Sequence, residues 1–87
     1  MDNVYTLKSS HIQDMETFYD EIATVLLLPD HFGRNLDALY DCLSDHEGDT
    51  IILAGFDAIE EKLGQHLPNI MEVFSGAGIE VVLEYGF

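Results

Sequence analysis

At 87 residues the chain is long enough for one small apolar core, and with 47% apolar residues it is not a disordered acidic tail despite a formal charge of -14. Its 17 acidic residues against three cations, Lys8, Arg34 and Lys62, argue against nucleic acid or an anionic membrane as partner and favour a basic one, reached by long-range steering that salt weakens. Cys42 stands alone, so no intramolecular disulfide is possible; no run nears the ~20 apolar residues of a bilayer span, and MDNVYTLKSS lacks the pattern of a secretory signal, which together point to a single cytoplasmic domain over residues 1–87.

Residues 4–7 form a short β-prone run that stops at Ser9-Ser10, and Ser10 with Gln13 has the spacing of a capping box for a helix over residues 11–27. Within that helix Ile12, Met15, Phe18, Tyr19, Ile22 and Val25 recur at helical spacing, leaving Asp14, Glu16, Asp20 and Glu21 largely on other sides. Pro29 ends it. Asn35 is a good N-cap for a second helix whose apolar stripe is Leu36, Leu39, Tyr40 and Leu43. Residues 46–49 read as a loop, and residues 50–54 as a continuous apolar run of the kind found in a strand covered on both faces. Residues 56–63 and 67–74 read as two short helices separated near Gly64 and Pro68, after which Gly76 and Gly78 release the chain into a strand over residues 79–83. The order β-α-α-β-α-α-β favours an α/β fold, a small three-stranded parallel sheet packed by about four helices, with right-handed crossovers as the default.

Opposite the apolar stripe of the second helix stand Asp37, Asp41 and Asp45, four residues apart, with no cation in the row. Like charges at this spacing repel by roughly 0.2–0.5 kcal/mol per pair, and an anion near a helix C-terminus opposes the macrodipole. Folding gives no reason for the row, so it is either a solvated face or a surface for something cationic, a protein rich in Arg and Lys or a metal ion.

Other chemistries find less support. Asp37 and Asp41 would serve an enzyme as Mg²⁺ ligands or as acid and base, but no Gly-rich phosphate loop and no Gly-x-Ser-x-Gly elbow accompanies them, and residues 45–49 are misregistered for an EF-hand. The Leu-Asp-Ala-Leu run at a helix start suggests an acyl carrier, yet Asn35 occupies the place of the serine such a carrier needs. Cys42 reads as a small, buried helix residue rather than a nucleophile, and His11, His31, His46 and His66 lack a paired metal-ligand spacing. No cofactor is expected. His31 and His46 flank the acidic helix and are the histidines placed to make contacts there, while Tyr40, on the edge of the stripe, reads equally as core and as contact.

Leu28-Pro29, Gly33, Asn35-Leu36-Asp37-Ala38-Leu39 and Asp41-Cys42-Leu43 are similar to the central segment of the barstar family of intracellular ribonuclease inhibitors. The element order, the apolar run near Ile51 and the Val73-Phe74 pair extend the resemblance across nearly the whole chain. It implies a three-stranded parallel sheet packed by helices and, as function, no catalysis. The second helix and the loop before it would plug the active site of a secreted microbial guanyl-preferring ribonuclease, with carboxylates standing in for substrate phosphate.

By position, Asp41 matches the family's central aspartate, which accepts hydrogen bonds from Arg, Lys and His of the enzyme, and Asp37 and Asn35 match neighbouring contacts. A tyrosine of the family's loop is His31 here, the tryptophan before the key aspartate is Tyr40, a second tryptophan aligns with His46, and an acidic contact on the last helix falls near Gly76. Arg34 replaces an acidic residue, where it would oppose a basic enzyme or pair with Asp30 or Asp37. The expectation is a monomer that binds a basic extracellular-type ribonuclease 1:1 through His31, Asn35, Asp37, Tyr40, Asp41, Asp45 and His46. The alternative is an acidic module that mimics nucleic acid for a different basic protein.

Overall fold

Three strands, β1 (Val4–Lys8), β2 (Thr50–Ala54) and β3 (Glu80–Glu84), lie parallel in the order β1-β2-β3 in the computed structural model, which describes residues 3–29 and 32–86. Four α-helices, α1 (Met15–Leu26), α2 (Leu36–Leu43), α3 (Phe56–Leu63) and α4 (Leu67–Gly76), fill the crossovers, with single 3-10 turns at Ser9–His11, Ser44–His46 and Gly64–His66. The α/β class, the parallel sheet and the order of elements are those read from the sequence.

The register aligns Tyr5, Ile51 and Val81 in one row and Leu7, Leu53 and Leu83 in another, and both rows face the helices because side chains alternate along each strand. α1 packs on β1, α4 on β3 and α2 on α4. Phe18 and Ile22 of α1, Leu39 and Leu43 of α2, Ile51 and Leu53 of β2, and Ile70 and Phe74 of α4 are essentially inaccessible to solvent.

The expectation that β2 is covered on both faces is not met. The alternate rows, Val4, Thr50 and Glu80, then Thr6, Ile52 and Val82, then Lys8, Ala54 and Glu84, point away from the core and are exposed or half-buried. Ile52 gains its partial cover as a residue of the central strand, flanked by Thr6 and Val82. A continuous apolar run therefore overstated the burial, since the central strand of a three-stranded sheet is shielded sideways by its neighbours as well as from above.

Helix boundaries also shift. Ser10 does not cap the first helix, because Ser9–His11 forms a 3-10 turn and Ile12 is extended (φ -117°) with its side chain fully buried. The cap is Asp14, whose carboxylate accepts the Thr17 N–H at 2.9 Å while Thr17 Oγ1 accepts the Asp14 N–H at 3.0 Å. The Thr17 N–H, followed by its hydroxyl, holds the Asp14 carboxyl below the usual carboxylate range. At the other end α1 closes on Leu27 in the left-handed conformation (φ 56°), two residues before Pro29. The last helix runs two residues beyond Phe74 to Gly76, and the last strand begins one residue later than expected, after the buried Ile79.

Gly55, between β2 and α3, has φ 75°, and a Cβ there would sit 2.2 Å from Ser9 Oγ. No side chain fits, so the turn lies directly against the exit of β1, with the Gly55 N–H bonded to the Glu84 carbonyl at 2.8 Å.

Candidate functional site: the exposed face of the second helix

α2 starts where Asn35, in an extended conformation (φ -146°), turns its side chain back on the helix: Oδ1 accepts the Ala38 N–H at 2.8 Å and Nδ2 donates to the Gly33 carbonyl at 3.2 Å. The N-cap expected from the sequence is thus formed. Leu39 and Leu43 are fully buried, and this anchors one side of a helix of only 8 residues. Asp37 and Asp41 fall on the opposite side with Ser44 beside them, Tyr40 lies on the edge between the two sides, and all four are exposed. Asp37, in the first turn, complements the macrodipole; Asp41, in the last, does not.

The acidic row is shorter as a helical feature than expected. α2 ends at Leu43, and Asp45 lies in the 3-10 turn Ser44–His46. Ser44 closes the helix, its hydroxyl donating to the Asp41 carbonyl at 2.6 Å. Such a tightened last turn leaves Asp45 exposed but out of the four-residue stack. Among the described residues, no cation pairs with Asp37, Asp41 or Asp45.

Tyr40 is 45% exposed and leans across to α4, its hydroxyl donating to the Gly76 carbonyl at 3.4 Å. A Cβ on Gly76 would lie 3.3 Å from Tyr40 Cε1, so the bare backbone of α4 is what lets the ring settle there. The packing half of the reading is realised, with one edge of the ring set against α4 and the other open to solvent. Cys42 is half-buried on the same helix, and burial, followed by the neighbouring Asp41 and Asp45 carboxylates, pushes its thiol above its ordinary value. That suits an inert residue better than a nucleophile.

The flanking histidines behave differently from each other. His31 lies outside the described residues, as does Asp30. His46 is mostly covered, with its side chain 18% exposed; Nδ1 is 3.0 Å from Asp49 Oδ2 and its ring stands edge-on to Tyr5 at 5.6 Å. His46 therefore has a structural role at the exit of the helix.

Arg34 does not pair with Asp37. Its guanidinium reaches Asp20 on α1, so the cation is drawn toward the first helix and away from the acidic face. Phe32, in the same connection, plugs into the core with its ring edge-on to Tyr19 at 5.8 Å. Neither contact was foreseen; an aromatic residue amid polar loop residues was the available signal for Phe32, and nothing local points from Arg34 to a residue fourteen positions earlier. Asp49 was also missed. It is buried, and its Oδ1 accepts the Asn3 N–H at 3.0 Å.

This geometry presents carboxylates, an aromatic edge and an amide on a short helix fixed from behind, which can accept charge-assisted hydrogen bonds from a cationic surface. Among the described residues no group of three or more His, Cys, Asp and Glu is placed to hold a metal ion, and no helix is long and apolar enough to cross a membrane. Comparison with known proteins places the chain in a family. The model of the family described as Barstar (barnase inhibitor) matches residues 3–85. A protein of Bacillus subtilis (strain 168) named "Putative ribonuclease inhibitor YrdF" is 33% identical over 75 residues, covering 84% of this chain and 82% of that protein. The family is one of inhibitors rather than of enzymes. With the match running from before β1 to just past β3, the chain belongs to the barstar family.

Proposed function

We propose that this protein inhibits a secreted microbial guanyl-preferring ribonuclease by covering its active site with the exposed face of α2 and the connection that precedes it. The observation that carries the reading is the set of exposed carboxylates on a helix whose other side, Leu39 and Leu43, is fully buried. Rigid support lets Asp41 and Asp37 stand in for substrate phosphates without first being ordered, and the binding cost of ordering is correspondingly small. Asp41 is assigned the central place, accepting hydrogen bonds from Arg, Lys and His of the enzyme. Asn35, Asp37 and Tyr40 surround it, Asp45 and His46 lie at the C-terminal rim, and His31 is included on the resemblance alone. Inhibition by family and by the name of the B. subtilis relative supports the same role. A 1:1 complex of a cytoplasmic monomer would bury about 800 Å² per partner, the usual size for a specific interface.

The test is a titration of several secreted guanyl-preferring ribonucleases against RNA cleavage at fixed salt, with Asp41→Ala and Glu60→Ala in parallel. Glu60, exposed on α3, is a suitable remote acid; Asp20 is not, because it holds Arg34. Stoichiometric inhibition that falls about 10- to 100-fold in Asp41→Ala and little in Glu60→Ala is expected, since only the former removes a charge-assisted bond at the interface. Equal losses would refute the site. A folded sample that inhibits none of them would refute the target and favour an acidic mimic of nucleic acid for another basic protein.

A further inference from the structure

The connection from α1 to α2 carries a cation, Arg34, directly before the acidic helix, and three features of it belong together. Arg34 has φ 53°, a left-handed backbone that non-glycine residues keep only where their surroundings hold them. Its guanidinium is paired with Asp20 on α1, two turns of chain behind the loop. Directly after it comes Asn35, whose side chain caps α2. Alongside lies a surface pocket of about 340 Å³ between α1 and the connection, with Phe32, Ala23 and Leu28 among its walls and the Arg34–Asp20 pair at its polar side. The connection is therefore held at two points on α1, by the buried Phe32 ring and by the Arg34 side chain, before it delivers the cap.

We propose that Arg34 is a positioning residue for the α2 surface: the ion pair to Asp20 holds the left-handed turn that sets Asn35 and the first turn of α2, and at the same time draws the positive charge of Arg34 away from the face offered to a basic partner. The second half of this inference rests on the proposed ribonuclease reading; the first half does not.

Simple electrostatics and this role predict opposite signs. If Arg34 were only a surface cation, Arg34→Gln would make an already acidic protein more negative and tighten its binding to a basic enzyme. As a positioning residue, its loss loosens the turn and speeds dissociation of the complex even as association quickens.

The primary measurement is made on the free protein, by amide-proton exchange across residues 33–38 in the wild type, Arg34→Gln, Asp20→Asn and the charge-swapped Asp20→Arg/Arg34→Asp. Each single variant is expected to raise exchange at Ala38, whose N–H bonds the Asn35 side chain, by about two- to fivefold, the range of an exposed ion pair, with the swap recovering the wild-type rate. Unchanged exchange in the single variants overturns the proposal, and raised exchange without recovery in the swap overturns the pair as its cause. Dissociation from whichever guanyl-preferring ribonuclease the wild type inhibits should quicken by a similar factor in both single variants. Tighter overall binding by Arg34→Gln, with dissociation unchanged, would leave Arg34 as a surface charge and overturn the positioning role. A wild type that binds none of these enzymes refutes the proposed function, while the exchange data still decide the tether.

Discussion

The imidazole of His46 meets the carboxylate of Asp49 at 3.0 Å, three residues on, at the point where the chain leaves the acidic helix for the central strand. Asp49 is 4% exposed and ties several segments together: its side chain accepts the Asn3 N–H, its own N–H bonds the His46 carbonyl at 2.9 Å, and its carbonyl accepts the Glu80 N–H at 3.0 Å. One residue thus joins the entry of β1, the exit of α2 and the start of β3. The Asn3 N–H holds the carboxyl below the usual carboxylate range; burial pushes the other way, and the His46 bond adds to the lowering.

Acid stability should report this carboxylate. Because Asp49 protonates at lower pH in the folded chain than in the unfolded one, its stabilisation is complete above the ordinary carboxylate range, about pH 4, and is lost as pH falls through the folded value. Asp49→Asn is expected to melt below the wild type at neutral pH, with the difference narrowing once the pH drops under about 4. Thermal melts of both proteins from pH 7 to pH 3 give the comparison, and a difference independent of pH would contradict the assignment.

The Asn35 cap sets the start of the proposed binding helix, so its removal should lower stability as well as binding. Asn35→Ala is expected to cost about 1 kcal/mol, equivalent to a fall of roughly 4–8 °C in melting temperature for a domain of this size. Asn35→Asp, which keeps an acceptor for the Ala38 N–H, should recover most of that loss. Calorimetry of the three proteins separates the capping role from any direct contact, since only the latter is absent from the free chain.

Gly76 ends α4 under the Tyr40 ring, and an added methyl would need the ring to give by a few tenths of an ångström. Tyr40 is half-exposed and can do so. Gly76→Ala is therefore expected to stabilise the protein by about 0.5 kcal/mol through helix propensity. It should also displace Tyr40, detectable as a change in the exposure of its ring by tyrosine fluorescence quenching. A loss of stability would mean that the ring is held more rigidly than its exposure implies.

Much of this protein was legible in its sequence. The first strand, read over residues 4–7 and found at Val4–Lys8, the strand Thr50–Ala54, the α2 stripe of Leu36, Leu39 and Leu43 with Tyr40 at its exposed edge, and the Asn35 cap are local patterns, fixed by side-chain period and by a hydrogen bond that reaches three residues along the chain. The acidic face was equally visible, because a helix period puts Asp37 and Asp41 together once Leu39 and Leu43 face inward. Membership of the family followed from the same central segment that carries the candidate site.

Only the tertiary structure decided the rest, and in each case the deciding contact is distant in sequence. Asp14 rather than Ser10 caps α1 because burial of Ile12 forces the chain extended between them. β2 is open on one face because the helices pack on the other, an outcome of crossover geometry that an apolar run does not encode. Arg34 finds Asp20, Tyr40 finds Gly76 and Asp49 finds Asn3 across separations of 14, 36 and 46 residues. The chain's charge and periodicity determined that an acidic helix would be offered to solvent; long-range packing determined which of the surrounding residues hold it there and which stand free beside it.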